Sequence, residues 1–269
     1  MKLRIASYNI HKGVSAFGRK ARIHGLKSAI DLLDADLVFL QEVQGQHDFL
    51  AENHTRWQNV GQHEFLAGES HESAYGMNAV YEHGHHGNAL LSRFPIASFV
   101  NYDVSDHAYE QRGILHAVVR VNAIDVHCFV VHLGLFSVSR QRQIQALIKE
   151  IKEGLAFDAP LIIAGDFNDW SKRLSRTLYA ELGVFEAFDV EKVQNASKFS
   201  MQGMRRIFKL PQTTHARTFP AGLPWLCLDR VYLRGFQVEK AEVLSGQPWT
   251  GLSDHVPIIA TLNYPSHPV

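Results

Sequence analysis

The residues able to do chemistry in this chain sit at the ends of apolar runs. LRIASY is followed by Asn9, DLVFLQ by Glu42, VHCFVV by His132, and PLIIAG by Asp166 with Asn168 two positions on. Toward the C-terminus the order reverses, with Asp229 before RVYL and Asp254 and His255 before VPIIATL. One Asp or Asn at a strand end has a plain explanation, because both residues favour turns and hydrogen-bond their own backbone. Repetition at separate strand ends points instead to a cleft floored by rigid elements.

Carboxylate and amide oxygens without thiolates suit a hard cation such as magnesium or manganese, whereas zinc prefers Cys and His at ligand spacing. A magnesium site normally uses one or two carboxylates together with water and substrate phosphate oxygens. Glu42 with Asp254 or Asn9 would be sufficient, leaving the two histidines and the remaining aspartates for proton transfer.

The elements that must position these residues alternate along the chain with no long Pro, Gly or Ser linker, so one domain over 1–269 is expected. Strands are expected at 3–8, 37–41, 88–92, 114–121, 124–131, 161–164, 228–233, 238–244 and 256–262. Helical spacing of Ile144, Leu147, Ile148, Ile151 and Leu155 predicts a helix over 139–155 with Ser137 or Ser139 as N-cap. Ile23, Leu26, Ile30 and Leu33 share one face of a second helix. No short repeat is present, which argues against solenoids and propellers, and sheets with helices packed outside them are the simplest architecture.

The chain has 269 residues, 46% hydrophobic, with 27 basic and 27 acidic side chains. A chain this long removes about 75% of its unfolded surface from water and needs no staple to hold a core. The balanced charge argues against a general polyanion binder. Cys128 and Cys227 lie in apolar runs that read as buried strands, so a reduced, structural role is expected. No apolar stretch suits a signal or a spanning helix, and a cytoplasmic protein with no integral membrane association, expected to be a monomer, is the reading.

In order along the chain, SYNIH (7–11), LQEV (40–43), GNALLSRFPI (87–96), HLG (132–134), GDFND (165–169), LDRVYL (228–233) and LSDHVPI (252–258) resemble the endonuclease/exonuclease/phosphatase superfamily, which includes pancreatic deoxyribonuclease. The resemblance implies a four-layer α/β sandwich, two mixed sheets face to face with helices outside, and metal-dependent hydrolysis of a phosphate ester. It makes Glu42 the principal metal ligand with Asn9 and Asp254 beside the metal, and Asp166 with Asn168 the pair that positions and deprotonates water. His255, oriented by Asp229, would contact the scissile phosphate, and His132 would protonate the leaving oxygen or stabilise its charge. AP endonucleases carry a Tyr-x-Pro-Asn type segment where this chain has VVHLGL, so the chain looks most like a bacterial subgroup for which the metal chemistry carries over and the substrate does not.

Arg112, in QRGIL, resembles a recurrent Arg-Gly step of the superfamily, and Asn88 resembles the GN step before a buried strand; both are candidate substrate contacts beside the plain readings of surface ion pair and turn. Between Lys192 and Leu228 there are six basic residues and no acidic one, so Arg205 and Arg206 are candidate phosphate contacts or part of a solvated face. His83, His85 and His86 look metal-like but lie in a Gly-rich stretch that reads as an exposed turn.

The expected function is a magnesium- or manganese-dependent phosphoesterase cleaving a phosphodiester, an endonuclease on nucleic acid being one form of it. The alternative is a phosphatase or phospholipase-like enzyme acting on inositol phosphates or phospholipid head groups, for which FPAGLPWL (219–226) would serve as an apolar rim. A binding protein that kept this fold and lost its chemistry would lack one or more of Glu42, Asp166, Asn168, Asp254 and His255. All five are present.

Overall fold

The computed structural model describes residues 1–14, 21–47, 60–106, 110–189 and 216–264. Two six-stranded mixed sheets lie face to face. One has the order β11-β12-β1-β2-β4-β3, built from β1 (Lys2–Asn9), β2 (Leu37–His47), β3 (Glu72–Tyr81), β4 (Gly84–Ser92), β11 (Gln237–Val243) and β12 (Ile258–Asn263). The other has the order β5-β6-β7-β8-β10-β9, from β5 (Ile96–Asp103), β6 (Gly113–Val121), β7 (Ile124–His132), β8 (Leu161–Asp166), β9 (Phe185–Glu186) and β10 (Asp229–Arg234).

Period-two side-chain alternation divides each central strand between two layers. Ile5, Phe39, Val130 and Ile162 point into the core between the sheets. Their neighbours Ala6 and Leu40 turn to the opposite face of the first sheet, where they meet helix α1 (Ile23–Leu33) and the short helix α2 (Gln62–Ala67). Phe129, Val131 and Ile163 likewise turn outward, to α3 (Ser137–Gly154) and α4 (Arg173–Leu182). These layers are the four-layer sandwich that the motif series implies.

Several local expectations are revised. β3, β5, β9, α2 and α4 were not expected: β5 is largely exposed, β3 is interrupted by Gly76 and Asn78, and α4 buries only Leu174, Leu178 and Leu182. Helix α3 begins at Ser137 with Phe136 at the N-cap position and no side-chain cap, because Ser139 Oγ donates instead to Asp106 Oδ2 at 2.7 Å. His85 and His86 are not in an exposed turn but in β4, paired with Gln46 and Gln44 of β2. Both cysteines are free as expected; Cys128 is buried in β7, whereas Cys227 is half-buried on the segment before β10.

Gly165 is where strand packing meets function. It has φ +149°, and a Cβ there would lie 1.9 Å from the Val131 carbonyl oxygen in the neighbouring strand. Only glycine allows that approach immediately before Asp166. Gly165→Ala is expected to cost about 2 kcal/mol or more and to lower the thermal midpoint by roughly 4–8 °C, measured by calorimetry; an unchanged midpoint would show that β7 yields at no cost.

Candidate active site

Strand register builds the centre of the site. His132 ends β7, Asp166 ends the parallel β8 and Asp229 begins the antiparallel β10, and the three are direct cross-strand partners, His132 with Asp166 and Asp166 with Asp229. The reversed order seen in the sequence is thus the signature of antiparallel strands. Asp229 Oδ2 is 2.8 Å from His255 Nδ1, and both His255 Nε2 and His132 Nε2 stand 3.7 Å from Asp166 Oδ2. Beyond β8, the Asn168 N–H donates to Asp166 Oδ1 and its Nδ2 donates to the Leu133 carbonyl, which fixes the loop in a left-handed conformation at φ +49°. Asp169 serves the scaffold instead, accepting the Leu174 N–H at the start of α4.

The first sheet supplies the other half. Asn9, at the end of β1, donates from Nδ2 to Glu42 Oε1 at 3.3 Å and to Asp166 Oδ2 at 3.2 Å, so one amide spans two carboxylates from different sheets. Its Oδ1 accepts the His11 N–H. Asn9 therefore braces Glu42 against Asp166. Glu42 has φ +56° and lies in a β-bulge where Gln41 and Glu42 face Asn88 alone, an irregularity that re-aims the carboxylate into the cleft. Asp254 Oδ2 lies 3.2 Å from His11 Nδ1, and Ser253 Oγ donates to the Asn9 carbonyl, holding the segment before β12 against β1.

The two imidazoles are driven to opposite charge states. Burial alone would depress His255, but Asp229, Asp166 and Asp254 outweigh it and push its pKa up to about 10, so it is a cation at neutral pH. His132 is held well below the ordinary range by burial, with Arg112, His255 and His86 adding to the effect, so it is neutral. Burial raises the Asp166 carboxyl, with His255 opposing and Asp229 adding to the rise. Opposed shifts within one cleft are the pattern by which a site separates its proton donor from its acceptor.

These groups open into a cleft of about 680 Å³ lined by Glu42, His132, Asp166, Asn168 and His255. Lys12, His86 and Arg112 also line it, as do Leu135, Phe136, Trp170, Phe219 and Leu226. Arg112 lines the cleft and lies 3.6 Å from Glu110. Asn88 is not in the lining: it is fully buried, and its Nδ2 donates to the carbonyls of Gly113 and Val130 in the opposite sheet. Its place is that of a tie between the sheets. Arg205 and Arg206 lie outside the described residues. Sequence reasoning passed over Lys12 and Trp170, which adjoin the quoted motifs SYNIH and GDFND, gave His11 within SYNIH no role, and read His86 as part of an exposed turn.

The donor set fits a hard divalent cation. Glu42, Asp254, Asp166 and Asp229 offer carboxylate oxygens, no cysteine lines the cleft, and Asp229 Oδ1 is buried without a hydrogen-bond partner. Among the described residues, Asp166, Asp229 and His255 form the one cluster of three such side chains whose donor atoms come within 4.8 Å of one another. The family model described as "Endonuclease/Exonuclease/phosphatase family" matches residues 6–255. The chain belongs to this family. It is 36% identical over 263 residues to "Uncharacterized protein YbhP" of Escherichia coli K12, covering 97% of this chain and 96% of that one. An endonuclease/exonuclease/phosphatase structure from Beutenbergia cavernae superposes with a TM-score of 0.72 at 18% identity, over 100% of this chain and 73% of that one. D. rerio TDP2 complexed with a single-strand DNA product gives 0.66 at 20% identity, over 97% and 99%. Family members are phosphoric ester hydrolases, and the chain is read as one.

Arg230, fully buried next to Asp229, anchors the site from beneath. Its Nη1 donates to both Glu186 carboxylate oxygens at 2.9 and 3.1 Å, and its Nη2 donates to the carbonyls of Asp169 and Cys227. Removing one partner of such a pair strands a buried charge at a cost of about 3–5 kcal/mol. Arg230→Met is expected to lower the thermal midpoint by roughly 6 °C or more, and adding Glu186→Gln to recover part of the loss. No recovery in the double variant would mean that the two carbonyl contacts, not the ion pair, carry the stability.

Proposed function

We propose that this cleft hydrolyses a phosphodiester, using a divalent cation, magnesium or manganese, and in-line attack by water. The observation that carries the reading is the convergence on Asp166 Oδ2 of two imidazoles, one cationic and one neutral, with the Asn9 amide linking the same oxygen to Glu42. When held by Glu42 and Asp254, the cation supplies Lewis-acid stabilisation of the phosphate's charge.

Asp166, its carboxyl raised by burial and its orientation fixed by the Asn168 N–H, takes a proton from the attacking water as the new O–P bond forms. His255, held by Asp229, donates a hydrogen bond to a non-bridging oxygen where negative charge grows. His132, neutral, offers an N–H to the leaving oxygen as its bond to phosphorus breaks. Of the two roles the resemblance implies for His132, stabilisation rather than proton donation suits a neutral imidazole.

The test is hydrolysis of bis(p-nitrophenyl) phosphate and nicking of supercoiled plasmid by purified protein, with magnesium or manganese and with a chelator. Cation-dependent turnover is expected, and Glu42→Ala, Asp166→Ala and His255→Ala should each lower it by about 10²-fold or more. Turnover that survives the chelator, or near-normal rates in these variants, would overturn the proposal. Nicking would assign the endonuclease form, and faster release of p-nitrophenol from p-nitrophenyl phosphate than from the diester would make the enzyme a monoesterase.

A further inference from the structure

The chain leaves β1 through a turn that L-residues rarely adopt. His11, Lys12 and Gly13 have φ of +47°, +58° and +67°, so three residues in a row are left-handed and two of them carry a Cβ. Non-glycine residues visit that region singly, because the Cβ crowds the following carbonyl oxygen, and such strain persists only where the surroundings over-determine it. The turn begins two residues after Asn9, and its middle residue, Lys12, lines the catalytic cleft.

Bonds from several elements hold it. The His11 N–H donates to Asn9 Oδ1, the Gly13 N–H to the Ile10 carbonyl and the Arg22 N–H to the Gly13 carbonyl, while His11 Nδ1 lies 3.2 Å from Asp254 Oδ2. The Lys12 carbonyl accepts from Gln62 Nε2 at 2.9 Å, and Gln62 Oε1 accepts the Gln44 N–H at 3.0 Å, so one amide side chain of α2, buried to 3% exposure, fastens the turn to β2. A Cβ on Gly13 would lie 2.5 Å from that same Nε2, so glycine is what makes room for the amide. Of the lysine and the arginine in the cleft lining, Arg112 is shared with Glu110, whereas Lys12 makes no ion pair among the described residues. Its charge nonetheless reaches the site, being among the causes that hold His86 and His132 below the ordinary range.

We propose that the left-handed turn serves to hold the Lys12 ammonium on a non-bridging oxygen of the substrate phosphate, and that Gln62 is the positioning residue that sets it there. The inference rests on the phosphodiesterase reading of the cleft and adds two residues to it, one that binds substrate and one that acts through the first. Reversing the sign of φ at Lys12 would redirect its Cα–Cβ bond, so the strained conformation is what aims the side chain. An ammonium is a point charge with three donors, and it suits a phosphate whose orientation other groups already fix. Because no carboxylate shares it, its full charge is free for an anion, and bonds between charged groups are the strong ones.

The test is a double-mutant cycle on hydrolysis of bis(p-nitrophenyl) phosphate by the full chain, comparing wild type, Lys12→Gln, Gln62→Met and the double variant. Lys12→Gln is expected to raise KM by about tenfold with a smaller fall in kcat, and Lys12→Arg to recover most of the loss. Gln62→Met should raise KM by about fivefold in the wild type and by less than about twofold in the Lys12→Gln background, where the carbonyl it holds positions nothing. Gly13→Ala, which crowds the same amide, should behave as Gln62→Met does and stands in for it if that variant does not fold. An unchanged KM in Lys12→Gln would overturn the inference, and equal effects of Gln62→Met in both backgrounds would reduce Gln62 to a structural residue and overturn its positioning role. If the protein turns over no diester, the phosphodiesterase reading fails separately, and calorimetric titration of the same four proteins with inorganic phosphate decides the matter. Weaker binding in Lys12→Gln, with the same non-additivity, would sustain the anion contact, and equal affinity in all four would remove it.

Discussion

Everything in this site depends on strand register. A β-strand presents alternate residues to opposite faces, so a slip of one residue would send Asp166 to the wrong layer together with the apolar side chains behind it. The dry core between the sheets forbids that slip: Ile162 and Ala164 are packed against Val130, Val231 and Phe39, and Asp166 continues the same strand into the cleft. The polar centre is therefore held in place by hydrophobic packing several residues away. The buried Arg230–Glu186 pair secures the neighbouring strand on its other side.

Within that frame, charge is arranged by burial. His255 and His132 flank the same aspartate at equal distance, yet one is kept charged and the other neutral, because Asp229 directly contacts only the first while Arg112 and His86 act on the second. Identical side chains thus acquire different chemistry from burial and from the charges beside them. The Asn9 amide plays the complementary part, keeping two carboxylates close that would otherwise repel each other.

Much of this was legible in the sequence, and the reason is physical. Central strands buried on both faces are continuous apolar runs, and a charged or amide residue that ends such a run is conspicuous; Asn9, Glu42, His132, Asp166, Asp229 and His255 were all found this way, and the structure brings them together. What stayed hidden depends on distant pairing. Edge strands β3 and β5 lack the apolar run, the Glu42 bulge has no signature in LQEV, and Asn88 looked like a ligand contact until the opposite sheet supplied the carbonyls it binds. Arg140 and Gln143 read as the polar face of a helix, and only the position of the 133–136 loop explains why both are buried.

The first and last strands are neighbours: β1 pairs with β12, and Ser253 donates to the carbonyl of Asn9 across 244 residues of chain. Contacts of such high sequence separation carry a large loop-closure entropy and form late. A chain still emerging during synthesis would present Asn9, Glu42 and Asp166 long before His255 exists to join them. The fold thus makes the gathering of Asn9, Glu42, Asp166 and His255 depend on the C-terminal strand β12 being in place against β1.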